Sequence, residues 1–150
     1  MNVSKKTGFT LIELLVVMAI LGLLATVGLS SFRNAQIKGR DAQRKSDLSQ
    51  IQRALEMYYN DKGYYPDELP AGGSEWRDPE VVDGALYMKA LPEDPRGGDY
   101  CYESDGSSYQ LYAKLENAND PAIERTCPEG CSCGGDSDYN YKVESENASD

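Results

Sequence analysis

Residues 5–20 read KKTGFTLIELLVVMAI: a basic pair, a glycine, and then an apolar run with one carboxylate, Glu13, at its mouth. No charge occurs from Leu14 to Leu29, where Leu, Val, Ala, Ile and Gly predominate. At about 1.5 Å per helical residue, Leu14–Phe32 matches a hydrocarbon core of roughly 30 Å. This predicts one membrane-spanning helix. A secretory signal places small residues at a cleavage site after its apolar region. Here the small residue, Gly8, stands before that region, behind Lys5 and Lys6. Gly22, Gly28, Ser30 and Ser31 are the weak points of the helix.

Beyond the span, Arg33–Lys62 holds no proline and one glycine, Gly39. Leu48, Ile51, Leu55 and Tyr58 recur at steps of three and four, which is one helical stripe. Arg44, Lys45, Asp47, Gln50 and Arg53 fall on the other face. The span is therefore expected to continue as one helix that turns amphipathic and ends at Tyr64-Tyr65-Pro66, because the residue before a proline avoids helical geometry. Asp67–Pro95 is rich in Pro, Gly and acids and reads as a loop, with room for a short helix around Val81–Ala90. DYCYES (Asp99–Ser104) and YQLYAKLE (Tyr109–Glu116) flank DGSS, a hairpin signal, and the second run alternates apolar and polar. YNYKV (Tyr139–Val143) reads as a third strand. The fold class is α+β: a long N-terminal helix, membrane-spanning and then amphipathic, packed on a small antiparallel sheet.

Charge narrows the function. The 150-residue chain has a net charge of -10 and no histidine, which excludes histidine-based triads and proton switches. Residues 1–62 carry nine Lys and Arg against five Asp and Glu, whereas residues 63–150 carry six against twenty. So acidic a head does not attract nucleic acid. No nucleophile–base pair or phosphate loop is evident, and acidic pairs such as Asp136 and Asp138 do not argue hydrolysis; the chain reads as a non-enzyme. The positive-inside rule alone would put the head in the cytoplasm, since Arg33, Lys38, Arg40, Arg44 and Lys45 outnumber Lys5 and Lys6. Four cysteines, Cys101, Cys127, Cys131 and Cys133, point instead to an oxidising side, where an even count predicts disulfides. Three pairings are open. Cys131 and Cys133 are too close for their usual bridge, so Cys101 is expected to pair with one of the other three. The spacing is not a standard zinc pattern.

The segment KKTGFTLIELLVVMAILGLLA resembles the N-terminus of bacterial type IV prepilins and of type II secretion pseudopilins. LSQIQRALEMYYNDKGYYP and LPEDPRGG look like the helix end and loop of the subgroup that includes major pseudopilins. The resemblance implies four stretches: a leader, 1–8; a filament-core helix, 9–32; an amphipathic helix, 33–62; and an acidic head, 63–150. A prepilin peptidase would cut after Gly8 and methylate the new amine of Phe9. The inner-membrane assembly machinery would then move subunits sideways into a helical homo-oligomer, where Glu13 meets the Phe9 amine of a neighbour. Physics agrees, because an unpaired carboxylate in hydrocarbon costs on the order of 3 kcal/mol. Many members carry proline where this chain has Ser30, so the helix lacks that kink.

Some pseudopilins resembling this chain hold calcium in the loop after the second strand. Here that loop is LENANDPAIE, which makes Glu116, Asn117, Asn119, Asp120 and Glu124 candidate ligands by type, although no EF-hand spacing is met; otherwise no cofactor is implied. Eleven tyrosines against two phenylalanines are expected mainly to pack helix to sheet. The expected function is a structural subunit of a type IV pilus-like filament, single-pass in the membrane before assembly and extracellular after it. The cysteine-bonded tail leans toward a surface pilus. The alternatives are a major pseudopilin of type II secretion, or a minor pilin or adhesin whose acidic head binds a cation or surface.

Overall fold

A computed structural model describes residues 8–127 and 131–149. Residues 1–7 of the expected leader, and Pro128 and Gly130 of the cysteine loop, lie outside the described residues. The first element, α1, runs Leu11–Lys62. Thr10 starts it: its hydroxyl accepts the Glu13 N–H at 3.3 Å, and the Glu13 carboxylate accepts the Thr10 N–H at 2.9 Å. This reciprocal pair is a capping box, T-x-x-E. At the other end the N–H of Gly63 donates to the Tyr59 carbonyl at 2.7 Å, with Gly63 at φ +79°. Glycine takes that left-handed geometry without strain, so α1 stops at Gly63, just ahead of the Tyr64-Tyr65-Pro66 signal.

Two compact units divide the chain, one up to Ile37 and one from Lys38. In the first, the large apolar side chains are exposed, from Phe9 at 85% to Leu14 at 58% and Phe32 at 62%. Among the described residues α1 is the one helix long and apolar enough, by length and composition, to cross a membrane. An exposed apolar surface of this extent favours burial against a membrane or a protein partner.

In the second unit the expected stripe is the core. Leu48, Ile51 and Leu55 are fully buried, and Tyr58 nearly so. They pack with Tyr65, Trp76, Tyr87, Leu91, Tyr109, Leu111 and Ala113. Burying a side chain such as Leu or Ile is worth about 1.5–3 kcal/mol. Strands β1 (Trp76–Arg77) and β2 (Leu86–Met88) pair antiparallel. Strand β3 (Cys101–Ser104) pairs with β4 (Tyr109–Ala113), Cys101 opposite Tyr112. Helix α2 (Pro121–Thr126) follows, then β5 (Cys131–Cys133) and β6 (Asp136–Tyr139), which pair with each other. Strand β7 (Tyr141–Glu144) returns to the far side of β4, Leu111 opposite Val143, giving the order β3-β4-β7.

The expected hairpin forms, shorter than read at Cys101–Ser104 and Tyr109–Ala113 and with Tyr112 buried despite its place on the polar side of the alternation; it is closed by Gly106 at φ +83° and by Asp105, whose carboxylate accepts the N–H groups of Ser107 and Ser108. The third strand starts at Tyr141 rather than Tyr139, because Tyr139 belongs to β6. The short helix allowed around Val81–Ala90 does not form; β2 occupies that stretch, held on β1 beside the aromatic group of Tyr58, Trp76 and Tyr87. Two residues assigned to the outward face of α1 are buried: Arg44 is 2% exposed and Asp47 7%. Their partners come from distant loops. The tyrosines do join helix to sheet, with Tyr65 edge-on to Tyr109 and both hydroxyls donating to Glu56.

Candidate functional site

Gly8 is exposed, and a methyl group there would meet open space. Phe9 projects almost fully into solvent. Glu13 lies one turn into α1, where its carboxylate also accepts the Thr10 hydroxyl at 2.7 Å. Thr10 was not singled out in the sequence, although a Thr three residues ahead of a Glu before an apolar run is a readable capping signal. The local bonds leave Glu13 partnered within its own chain.

The second constellation lies where α1 meets the end of β4. Arg44 donates to both oxygens of Asp94 (2.5 and 2.9 Å), to Asp41 (2.8 Å) and to Glu116 (3.0 Å). Arg40 grips Glu116 with two parallel bonds of 2.7 and 2.6 Å, and Arg96 lies 3.0 Å from the same carboxylate. Asp41 accepts the backbone N–H groups of Glu116 (2.9 Å) and Asn117 (2.8 Å). Lys45 Nζ lies 2.7 and 2.6 Å from the two Asp120 oxygens. The Arg40 and Arg44 guanidiniums hold the Glu116 carboxyl down, to about 2. Lys45 and the Ala122 N–H lower Asp120. Burial pushes Asp94 up, but Arg44 and the Arg96 N–H outweigh it, and the net shift is downward. The bond to Asp94, ahead of the other partners, raises Arg44.

The candidate calcium ligands do not converge on an open shell. Glu116 and Asp120 face cationic side chains, the Asn117 amide oxygen accepts the Asn119 N–H at 3.3 Å, and Glu124 is exposed on α2. Asp120 also caps α2 by accepting the Ala122 N–H, with Pro121 in the first turn. The Asp-Pro pair marks this helix start in the sequence.

Two disulfides form, Cys101–Cys133 and Cys127–Cys131, one of the three pairings left open. The first ties β5 to β3. Gly134 and Gly135, both at positive φ, turn β5 into β6, a Gly-Gly hairpin signal. Among the described residues no group of three or more His, Cys, Asp or Glu could hold a metal ion.

Comparison with known proteins agrees with both halves of this picture. Residues 3–29 match the family described as Prokaryotic N-terminal methylation motif, and residues 32–119 match Type II secretion system (T2SS), protein G. The Type II secretion system core protein G of Vibrio cholerae serotype O1 is 37% identical over 111 residues, 70% of this chain and 75% of that protein. Its counterpart in Pseudomonas aeruginosa is 32% identical over 124 residues, 75% of this chain and 85% of that protein. No solved structure matches. These relatives are named for secretion and not for surface pili, so they favour the pseudopilin alternative over the surface pilus toward which the cysteines leaned. Three of the four cysteines lie beyond residue 119, outside the matched region.

Proposed function

We infer, because this chain belongs to the protein G family of type II secretion systems, that it is the major pseudopilin of such a system: a structural subunit and not an enzyme. A prepilin peptidase cuts after Gly8 and methylates Phe9. The exposed apolar part of α1 anchors the subunit in the membrane and then bundles with its copies in the filament core. Glu13 pairs across neighbours with the Phe9 amine. In a low-dielectric bundle that pairing acts mainly as a register device, since desolvation offsets much of its attraction.

The observation that carries this reading is Glu13, the one charged side chain among residues 9–32, held at the start of an exposed apolar helix whose first part lies within the methylation motif. The test is Glu13→Ala expressed beside an active prepilin peptidase. Filaments pelleted from sheared envelopes should be lost while cleavage and membrane insertion persist. Normal filaments would defeat the register role. Wild-type chain still carrying Met1–Gly8 would sink the whole reading. Mature chain confined to the envelope at native expression supports the pseudopilus, whereas abundant sheared extracellular filament would return the reading to a surface pilus.

A further inference from the structure

The loop from Leu115 to Asp120 raises a problem of like charge, because it brings Glu116 against Asp41 and Asp94 around one guanidinium and carries Asp120 four residues on. A divalent cation is the solution expected from the resemblance, and its fit can be judged from the donors present. Calcium takes six to eight oxygen ligands at about 2.3–2.6 Å. Here Glu116 Oε1 accepts from Arg40 and Arg44, and Oε2 from Arg40 with Arg96 alongside. Both Asp120 oxygens lie on Lys45, and Oδ1 also accepts the Ala122 N–H. Both Asp41 oxygens receive backbone N–H groups of the loop itself. Leu115 is fixed separately: its N–H and carbonyl bond the Asn140 side chain at 2.7 and 2.9 Å. A calcium ion seated between Glu116 and Asp120 would have to displace guanidinium and ammonium groups from their hydrogen bonds. It would also sit beside Arg40, Arg44 and Lys45. These residues do not fit the ion.

We propose that Arg40, Arg44 and Lys45 serve as the built-in cation of this loop, so that the head folds independently of calcium. The clamp belongs to α1: three side chains within six residues reach across to residues more than 70 positions later. The disulfides hold the chain beyond α2, so the acidic loop is fastened at both ends by bonds the protein carries itself. The clamp concerns the head's own fold and stands or falls independently of secretion or filament growth.

The experiment uses the full chain in detergent micelles. Thermal unfolding is followed by near-ultraviolet circular dichroism in millimolar calcium chloride or in EGTA, with sodium chloride matched for ionic strength. Calorimetric titration with calcium chloride is run beside it. The expected result is the same Tm in both solutions and no saturable heat. A structural calcium ion at 100 times its Kd would instead raise Tm by roughly 10 °C over EGTA; that shift, or saturable binding, overturns the proposal. The double variant Arg40→Gln, Lys45→Met leaves every carboxylate in place. It should melt several degrees lower than the wild type in EGTA, and an unchanged Tm would equally overturn the clamp.

Discussion

Arg44→Met tests the buried hub directly. The methionine keeps an unbranched apolar stem and removes only the guanidinium. Arg44 and Asp41 are almost fully buried, while the Asp94 and Glu116 side chains are 19% and 14% exposed. Removing one member of a buried ionic cluster generally costs about 3–5 kcal/mol, because the partner charges stay desolvated. Two features hold the loss near the lower end. Asp41 keeps its two backbone donors, and Glu116 keeps Arg40. A loss of about 3 kcal/mol lowers Tm by roughly 12 °C for a head of this size. The pH dependence separates electrostatics from packing. In the wild type, Glu116 is lowered from 4.5 to about 2 and Asp94 is also lowered. Groups with depressed folded pKa contribute stability that is present above the unfolded value and lost as pH falls through the folded one. The variant has lost part of that depression. Its Tm should therefore approach the wild-type curve as pH drops below 4.5 toward about 2. Thermal unfolding of the full chain across that range is the assay. A neutral-pH loss under about 4 °C, roughly 1 kcal/mol, would refute the hub. So would a gap that stays constant with pH.

Replacing Cys101 and Cys133 by Ser opens a bridge of sequence separation 32, for a loss of roughly 3–4 kcal/mol by chain entropy. The Cys127–Cys131 bridge, with separation 4, should be worth only about 2 kcal/mol. Tm values of the two Ser pairs, ranked, check the order. Burial raises the Asp47 carboxyl despite the Tyr100 hydroxyl it accepts at 2.9 Å, so its ionised form is disfavoured in the fold. Its stability contribution is present below 3.8 and lost as pH rises through the raised value. Asp47→Asn, which keeps an acceptor for Tyr100, should gain a few degrees in Tm at neutral pH and nothing in strong acid; an equal effect at both ends would refute this.

The parts of the fold that depend on near neighbours in sequence were legible. The period of Leu48, Ile51, Leu55 and Tyr58 located the core, and DGSS between two alternating runs located the hairpin. Cysteine parity predicted bridges and left their partners open, because pairing depends on β5 turning back toward β3. Arg44 shows the limit most clearly. On a helical wheel it reads as a solvated charge, and it is buried because Asp94 and Glu116 arrive from 50 and 72 positions away. Strands β1 and β2, of two and three residues, are too short for any period to show. Glu13 was found by its isolation among apolar residues, while Thr10 needed the capping pattern. The acidic loop was read by ligand type alone, and the cations that answer it sit on another element.

Strand β4 is flanked on one side by β3 and on the other by β7. The region matching the protein G family stops at residue 119, so half of that protection comes from chain beyond it. Synthesis delivers β4 long before β7, and through that interval the backbone of Gln110–Ala113 is an open template for another copy's strand. The strong negative charge of residues 63–150 opposes such pairing by like-charge repulsion. A shortened chain ending after α2 would carry that open edge permanently, so the C-terminal tail serves as the guard against aggregation of the sheet it completes.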